Sequence, residues 1–94
     1  MQEKCTRWDP VERLITEADQ MAYLNASFEE DPGDGSLIRA ALGDIARARG
    51  MSRVSRAAGI SREGLYRALS VDGNPEFATV MRVMRALGLH LRAT

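Results

Sequence analysis

Four side chains within seven residues, Arg62, Glu63, Tyr66 and Arg67, have the chemistry to read a DNA edge. The planar fork of arginine pairs with guanine or with phosphate, a glutamate accepts from the cytosine amino group, and a tyrosine reaches a phosphate or a thymine methyl. Ser52 and Ser61 stand where a hydroxyl caps a helix, and the amides of a helix start can receive a phosphate. Arg53, next to Ser52, adds a further charge. Catalytic chemistry has no comparable support. The single histidine, His90, and the single cysteine, Cys5, have no Ser/His/Asp, Cys/His or metal-ligand spacing around them. The expectation is a non-enzyme with no cofactor and no metal.

Those side chains must be carried by two short helices joined by a tight turn, with the second helix in the major groove. The segment SRVSRAAGISREGLYRALS, Ser52 to Ser70, meets that demand. Ser52 is expected to cap the first helix, which Val54 anchors, and Ser55 and Ala58 are small enough for a close crossing. Gly59 can take positive φ at the turn, where a Cβ costs about 1–2 kcal/mol. Ile60 plugs the turn, Ser61 caps the second helix, and Leu65, Ala68 and Leu69 face inward. Arg62, Glu63, Tyr66 and Arg67 are then left outside, with Ser61 and Gly64 near the groove entrance. The alternative is a helical bundle with serine caps and no ligand, which the outward set and the charge distribution below disfavour.

Around this head the pattern reads as a single domain, 9–94, after a loose N-terminus, 1–8. Asp9-Pro10-Val11-Glu12 starts a short helix, with Asp9 as cap and Pro10 in the first helical position. Thr16 caps a second helix to about Glu30, with Ala18, Met21, Ala22, Asn25 and Phe28 along one face. Asp31-Pro32-Gly33-Asp34-Gly35 breaks it. A third helix, from about Ser36 to Arg49, carries an apolar stripe of Ile38, Ala41, Leu42, Ile45 and Ala48 and ends at Gly50. Asn74-Pro75 opens the last helix, with Phe77, Val80, Met81, Met84 and Leu87 at helical spacing and Gly88 at its end. Leu89-His90-Leu91-Arg92 alternates apolar with polar, a pattern open to a short C-terminal strand. The fold class expected is all-α, with five to six helices.

The 94 residues carry no net charge, which at first argues against a nucleic-acid partner. The zero is a sum of opposites. Residues 1–34 hold nine acids against three bases, a net −6, and residues 35–94 hold ten arginines against four acids, a net +6. Such a split points to two faces with different partners. Twelve of the thirteen bases are arginine, which suits bidentate contacts but also arises in chains from GC-rich genomes. No signal-peptide core or membrane span is present, so a cytoplasmic location without membrane contact is expected. Aromatic residues make up only 5%, so the core has few large anchors, and pairing into a homodimer would add stability.

The stretches ALGDIARARGM (Ala41 to Met51), GISREGLYRAL (Gly59 to Leu69) and GNPEFATV (Gly73 to Val80), with MAYLNA (Met21 to Ala26), resemble the addiction-module antidote proteins. These are helix-turn-helix antitoxins of the HigA-like type with a lambda-repressor-like fold, and the likeness runs from Asp9 to Leu91. The resemblance implies a small basic toxin of the RelE/ParE superfamily as partner, and repression of the chain's own operon by a dimer on a palindromic operator in double-stranded DNA. The acidic 9–34 region would suit a basic toxin surface and the basic 35–94 region the DNA, since complementary potentials steer encounter. Its alternative is an ordinary solvated helical face. Arg53 and Ser55 depart from the family, where a glutamine and an alanine are common, and Arg53 would contact phosphate less selectively. A stand-alone phage-type repressor would have the same head. A pure adaptor would not depend on Arg62 and Arg67.

Overall fold

The computed structural model describes residues 10–94. The loose segment expected at 1–8, the Asp9 cap and Cys5 lie outside the described residues. Among those described, six helices follow one another: α1 (Pro10–Arg13), α2 (Glu17–Glu30), α3 (Ser36–Arg49), α4 (Met51–Ala58), α5 (Arg62–Ala68) and α6 (Phe77–Ala86). The all-helical expectation holds. The C-terminal strand does not form: Leu89 to Arg92 run without a ladder, because no second extended segment among the described residues supplies the facing N–H and C=O groups.

Local chemistry sets the helix starts. At α2, Thr16 Oγ1 accepts the Asp19 amide at 3.0 Å and Asp19 Oδ2 accepts the Thr16 amide at 3.1 Å, a reciprocal capping box. These bonds from the Thr16 backbone and hydroxyl hold the Asp19 carboxyl below its ordinary value. The start of α3 has no side chain at its own cap, Gly35, and is capped from the preceding loop. Asp31 accepts the amides of Gly33, Gly35 and Leu37, each at 2.8 Å, and Asp34 accepts that of Ser36 at 2.9 Å. Desolvation pushes Asp31 upward, but its bonds to the Gly35, Gly33 and Leu37 amides outweigh it, so the pKa is lowered. Asp34 is lowered by hydrogen bonds from the Ser36 side chain and amide.

α3 is the central element, with α1, α2 and α4 all packed on it. Ala41, Leu42 and Ile45 are buried as the stripe predicts, and Ile38 and Ala48 pack against the core more loosely. Ala46 is fully buried as well, so α3 is apolar on more than one side. α4 contacts α3, α5 and α6, and Val83, Met84 and Leu87 of the last helix complete the core. Gly43 lies against the end of α5, where a Cβ would come into van der Waals contact with Leu69, 3.4 Å from its carbonyl oxygen.

Two faces differ from the expected ones. α2 buries Gln20 and Leu24, while Ala18, Ala22 and Asn25 are exposed and Met21 and Phe28 are 51% and 41% exposed. The reason is polar pairing across helices. Gln20 Nε2 donates to the Leu14 carbonyl at 3.1 Å and its Oε1 accepts Arg49 Nε at 2.8 Å, so the buried amide is satisfied. Tyr23 donates to Asp44 Oδ2 at 2.6 Å, and Asp44 also pairs with Arg47. Phe77, the first residue of α6, is 67% exposed, while burial falls on Val83 and Met84 and on Leu87 at the helix end. Gly88, at φ 72°, ends the turn after α6, with the Leu89 amide donating back to the Met84 carbonyl at 2.9 Å.

Candidate nucleic-acid interface

The helix-turn-helix is assembled from α4 and α5, which pack against each other. α3 and α4 share one junction residue, Gly50, at φ 102°. Its amide closes α3 by donating to the Ala46 carbonyl, and its carbonyl accepts the Val54 amide to open α4. α4 therefore begins at Met51, whose side chain is buried, one residue before the expected start. Ser52 does not cap it. That expectation is corrected: Ser52 is an exposed residue of the first turn, and its carbonyl accepts the Ser55 hydroxyl at 3.0 Å.

The inward set is as the sequence predicts except at Ala68, which is only half-buried. Val54, Ser55 and Ala58 are buried, Gly59 sits at φ 73°, and Ile60 packs on the core. The Ile60 amide donates to the Ser55 carbonyl at 3.1 Å and the Gly59 amide to Arg56 at 3.3 Å, which fixes the turn. Ser61 caps α5, its Oγ accepting the Gly64 amide at 2.9 Å. Leu65 is fully buried, and Leu69 is buried beyond it. One apolar anchor thus decides which way this seven-residue helix faces.

Arg62, Glu63, Tyr66 and Arg67 are all exposed on α5, and Ser61 is exposed at its start. The Arg62 guanidinium carbon lies 5.7 Å from the Tyr66 ring centre, within cation–π distance. Arg53 is exposed on α4. Arg56, which the sequence reading passed over, shares that exposed face, and its spacing of three from Arg53 was the available signal. None of Arg53, Arg56, Arg62 and Arg67 pairs with a carboxylate among the described residues. Arg39, Arg47 and Arg49 differ: each is held by a hydrogen bond inside the fold. Arg82, Arg85 and Arg92 are exposed elsewhere.

Arg39 is a second residue the sequence did not flag. From α3 it donates Nε to the Ser70 carbonyl at 3.0 Å and Nη2 to the Val71 carbonyl at 2.9 Å. This fork pins the loop leaving α5, across a sequence separation with no local signal. Gly73 is pressed against the same end, where a Cβ would fall 2.5 Å from the Ala68 carbonyl oxygen. An ordered head with free guanidinium groups can contact phosphate and base edges.

Comparison with known proteins bears on this head and on the chain around it. A family described as "Probable addiction module antidote protein" matches residues 4–94. An uncharacterized protein of Haemophilus influenzae (strain ATCC 51907 / DSM 11121 / KW20 / Rd) is 54% identical over 92 residues, covering 98% of this chain and 93% of the relative. No solved structure matches. With a match that includes all six helices, the chain belongs to the probable addiction module antidote family.

Proposed function

We propose that this chain is the antitoxin of a type II toxin–antitoxin module, of the HigA-like kind. It neutralises a small basic toxin of the RelE/ParE superfamily and, as a homodimer, represses its own operon on a palindromic operator. The observation that carries the DNA half is the exposed set of Arg62, Tyr66 and Arg67 on a helix held by Leu65, with Ser61 at its start and neither arginine paired with a carboxylate among the described residues. Family membership supports the toxin half, and so does the net −6 of residues 1–34, since a basic partner favours an acidic face. In this reading Arg62 and Arg67 contact guanine, Tyr66 a phosphate or thymine methyl, and Glu63 a cytosine amino group. Ser52, Arg53 and Ser61 hold phosphates. The protein is a regulator that binds and does no chemistry.

Two experiments test the two halves. An electrophoretic shift with the DNA upstream of the chain's own gene should show a discrete complex, and no shift at low salt would reject repression. Co-expression with the neighbouring small gene should rescue growth. A neighbour harmless on its own would reject the toxin half and leave a stand-alone phage-type repressor, which needs only the same head.

A further inference from the structure

α5 is only seven residues long and carries one buried side chain, Leu65, within its span. A helix of that length has little stability of its own, so its direction depends on what holds its ends. The far end is held from outside. The Arg39 guanidinium of α3 donates through Nε to the Ser70 carbonyl at 3.0 Å and through Nη2 to the Val71 carbonyl at 2.9 Å. The Ser70 carbonyl also accepts the Gly73 amide at 2.9 Å. Ser70 passes the constraint back into the helix, since its hydroxyl donates to the Arg67 carbonyl at 3.0 Å. These links join a half-buried arginine of the central helix to the backbone of an exposed arginine on the reading face.

From this relay of bonds we infer that Arg39 is a positioning residue for DNA readout, setting the direction in which Arg67 leaves α5. Arg39 turns two N–H groups of its planar fork onto successive carbonyls, a match that the point charge of a lysine does not reproduce. Both carbonyls lie just past the last residue of α5, where the helix dipole favours a cation. Arg39 pairs with no carboxylate among the described residues, so its charge is directed at these carbonyls. Hydrogen bonds from a charged donor are stronger than neutral ones, which suits them to holding a loop. A base edge is read only by a side chain that arrives in a narrow range of directions, whereas a phosphate contact carries no sequence information. Loss of Arg39 therefore loosens specificity before it loosens binding. The inference rests on the proposed reading of DNA by α5, and adds to it the residue that aligns the reader.

Anisotropy titrations of the full chain carrying Arg39→Gln test it, on the DNA upstream of its own gene and on a scrambled duplex, at several salt concentrations. The preference for the upstream DNA should fall at least about tenfold, while the slope of affinity against salt stays that of the native chain. Arg39→Lys keeps the charge without the planar fork and should lose preference as well. Ser70→Ala, at an exposed position away from the core, should act in the same direction. Circular dichroism should show native helix content in all three. In a double-mutant cycle, Arg39→Gln should cost less preference on an Arg67→Ala background than on the native chain, and its full cost on Arg53→Ala. Undiminished preference in Arg39→Gln and Ser70→Ala would overturn the inference, as would a lysine variant equal to the native chain or additive losses with Arg67→Ala. A salt slope reduced by about one, with all sequences weakened alike, would make Arg39 a phosphate contact and overturn it too. The native chain is read first: equal affinity for both duplexes rejects the DNA reading and this inference together, whereas native discrimination that the variants keep rejects this inference alone.

Discussion

At the scale of residues, the arginines of the basic half fall into distinct jobs. Arg39, Arg47 and Arg49 bind groups of the fold itself, whereas Arg53, Arg62 and Arg67, on the helix-turn-helix, pair with no carboxylate among the described residues. Arg62→Ala and Arg67→Ala should each cost about 1–3 kcal/mol on the operator and relax the preference for one base. Arg53→Ala should weaken all DNA sequences alike and reduce the slope of affinity against salt by about one. Fluorescence anisotropy titrations on the operator and on scrambled DNA, at several salt concentrations, separate the two behaviours. The acidic residues make a different prediction. Asp19, Asp31 and Asp34 all have lowered pKa values, from an ordinary 3.8. A carboxyl whose pKa is depressed by folding stabilises the fold above its unfolded value, and that contribution is lost as pH falls through the folded value. The melting temperature should therefore drop as pH goes below about 4, and Asp31→Asn should shrink that drop while lowering the melting temperature at neutral pH. Thermal melts from pH 6 to pH 2 on both proteins measure this.

The helices themselves were largely legible. The ends of α3 and the start of α5 follow from local rules, since Asp31-Pro32-Gly33, Gly50, Gly59 and Ser61 each stop or start a helix through their own backbone or side-chain bonds. The start of α4 was less so, because Gly50 serves two helices at once and leaves Ser52 no capping role. The inner face of α2 was not legible. Its burial is decided by Gln20 meeting Leu14 and Arg49, and Tyr23 meeting Asp44, pairings between helices that the hydropathy of one helix does not encode. The tail pattern was legible as extended, but a strand also needs a neighbour. Two glycines test the turn chemistry. Gly59→Ala forces a Cβ into the left-handed region with open space around it, so it should cost about 1–2 kcal/mol through the backbone alone. Gly73→Ala sets a Cβ 2.7 Å from the Arg67 carbonyl oxygen, against backbone that cannot rotate away. It should displace the end of α5, and so lower operator affinity as well as the midpoint of urea unfolding. Gly59→Ala should change the midpoint more than the affinity of the folded protein.

For the whole molecule, zero net charge conceals an acidic N-terminal third and a basic remainder of equal size. The basic part carries the helix-turn-helix, and the acidic part includes α2. No helix among the described residues is long and apolar enough to cross a membrane. The central claim is that α5 reads one DNA sequence, and binding of the chain to the DNA upstream of its own gene tests it most directly. At about 150 mM salt the native chain should prefer that DNA over a scrambled duplex by at least about 10³-fold, and Arg62→Ala with Arg67→Ala should remove most of the preference. Equal affinity for both duplexes, or a preference that survives loss of both arginines, would contradict it.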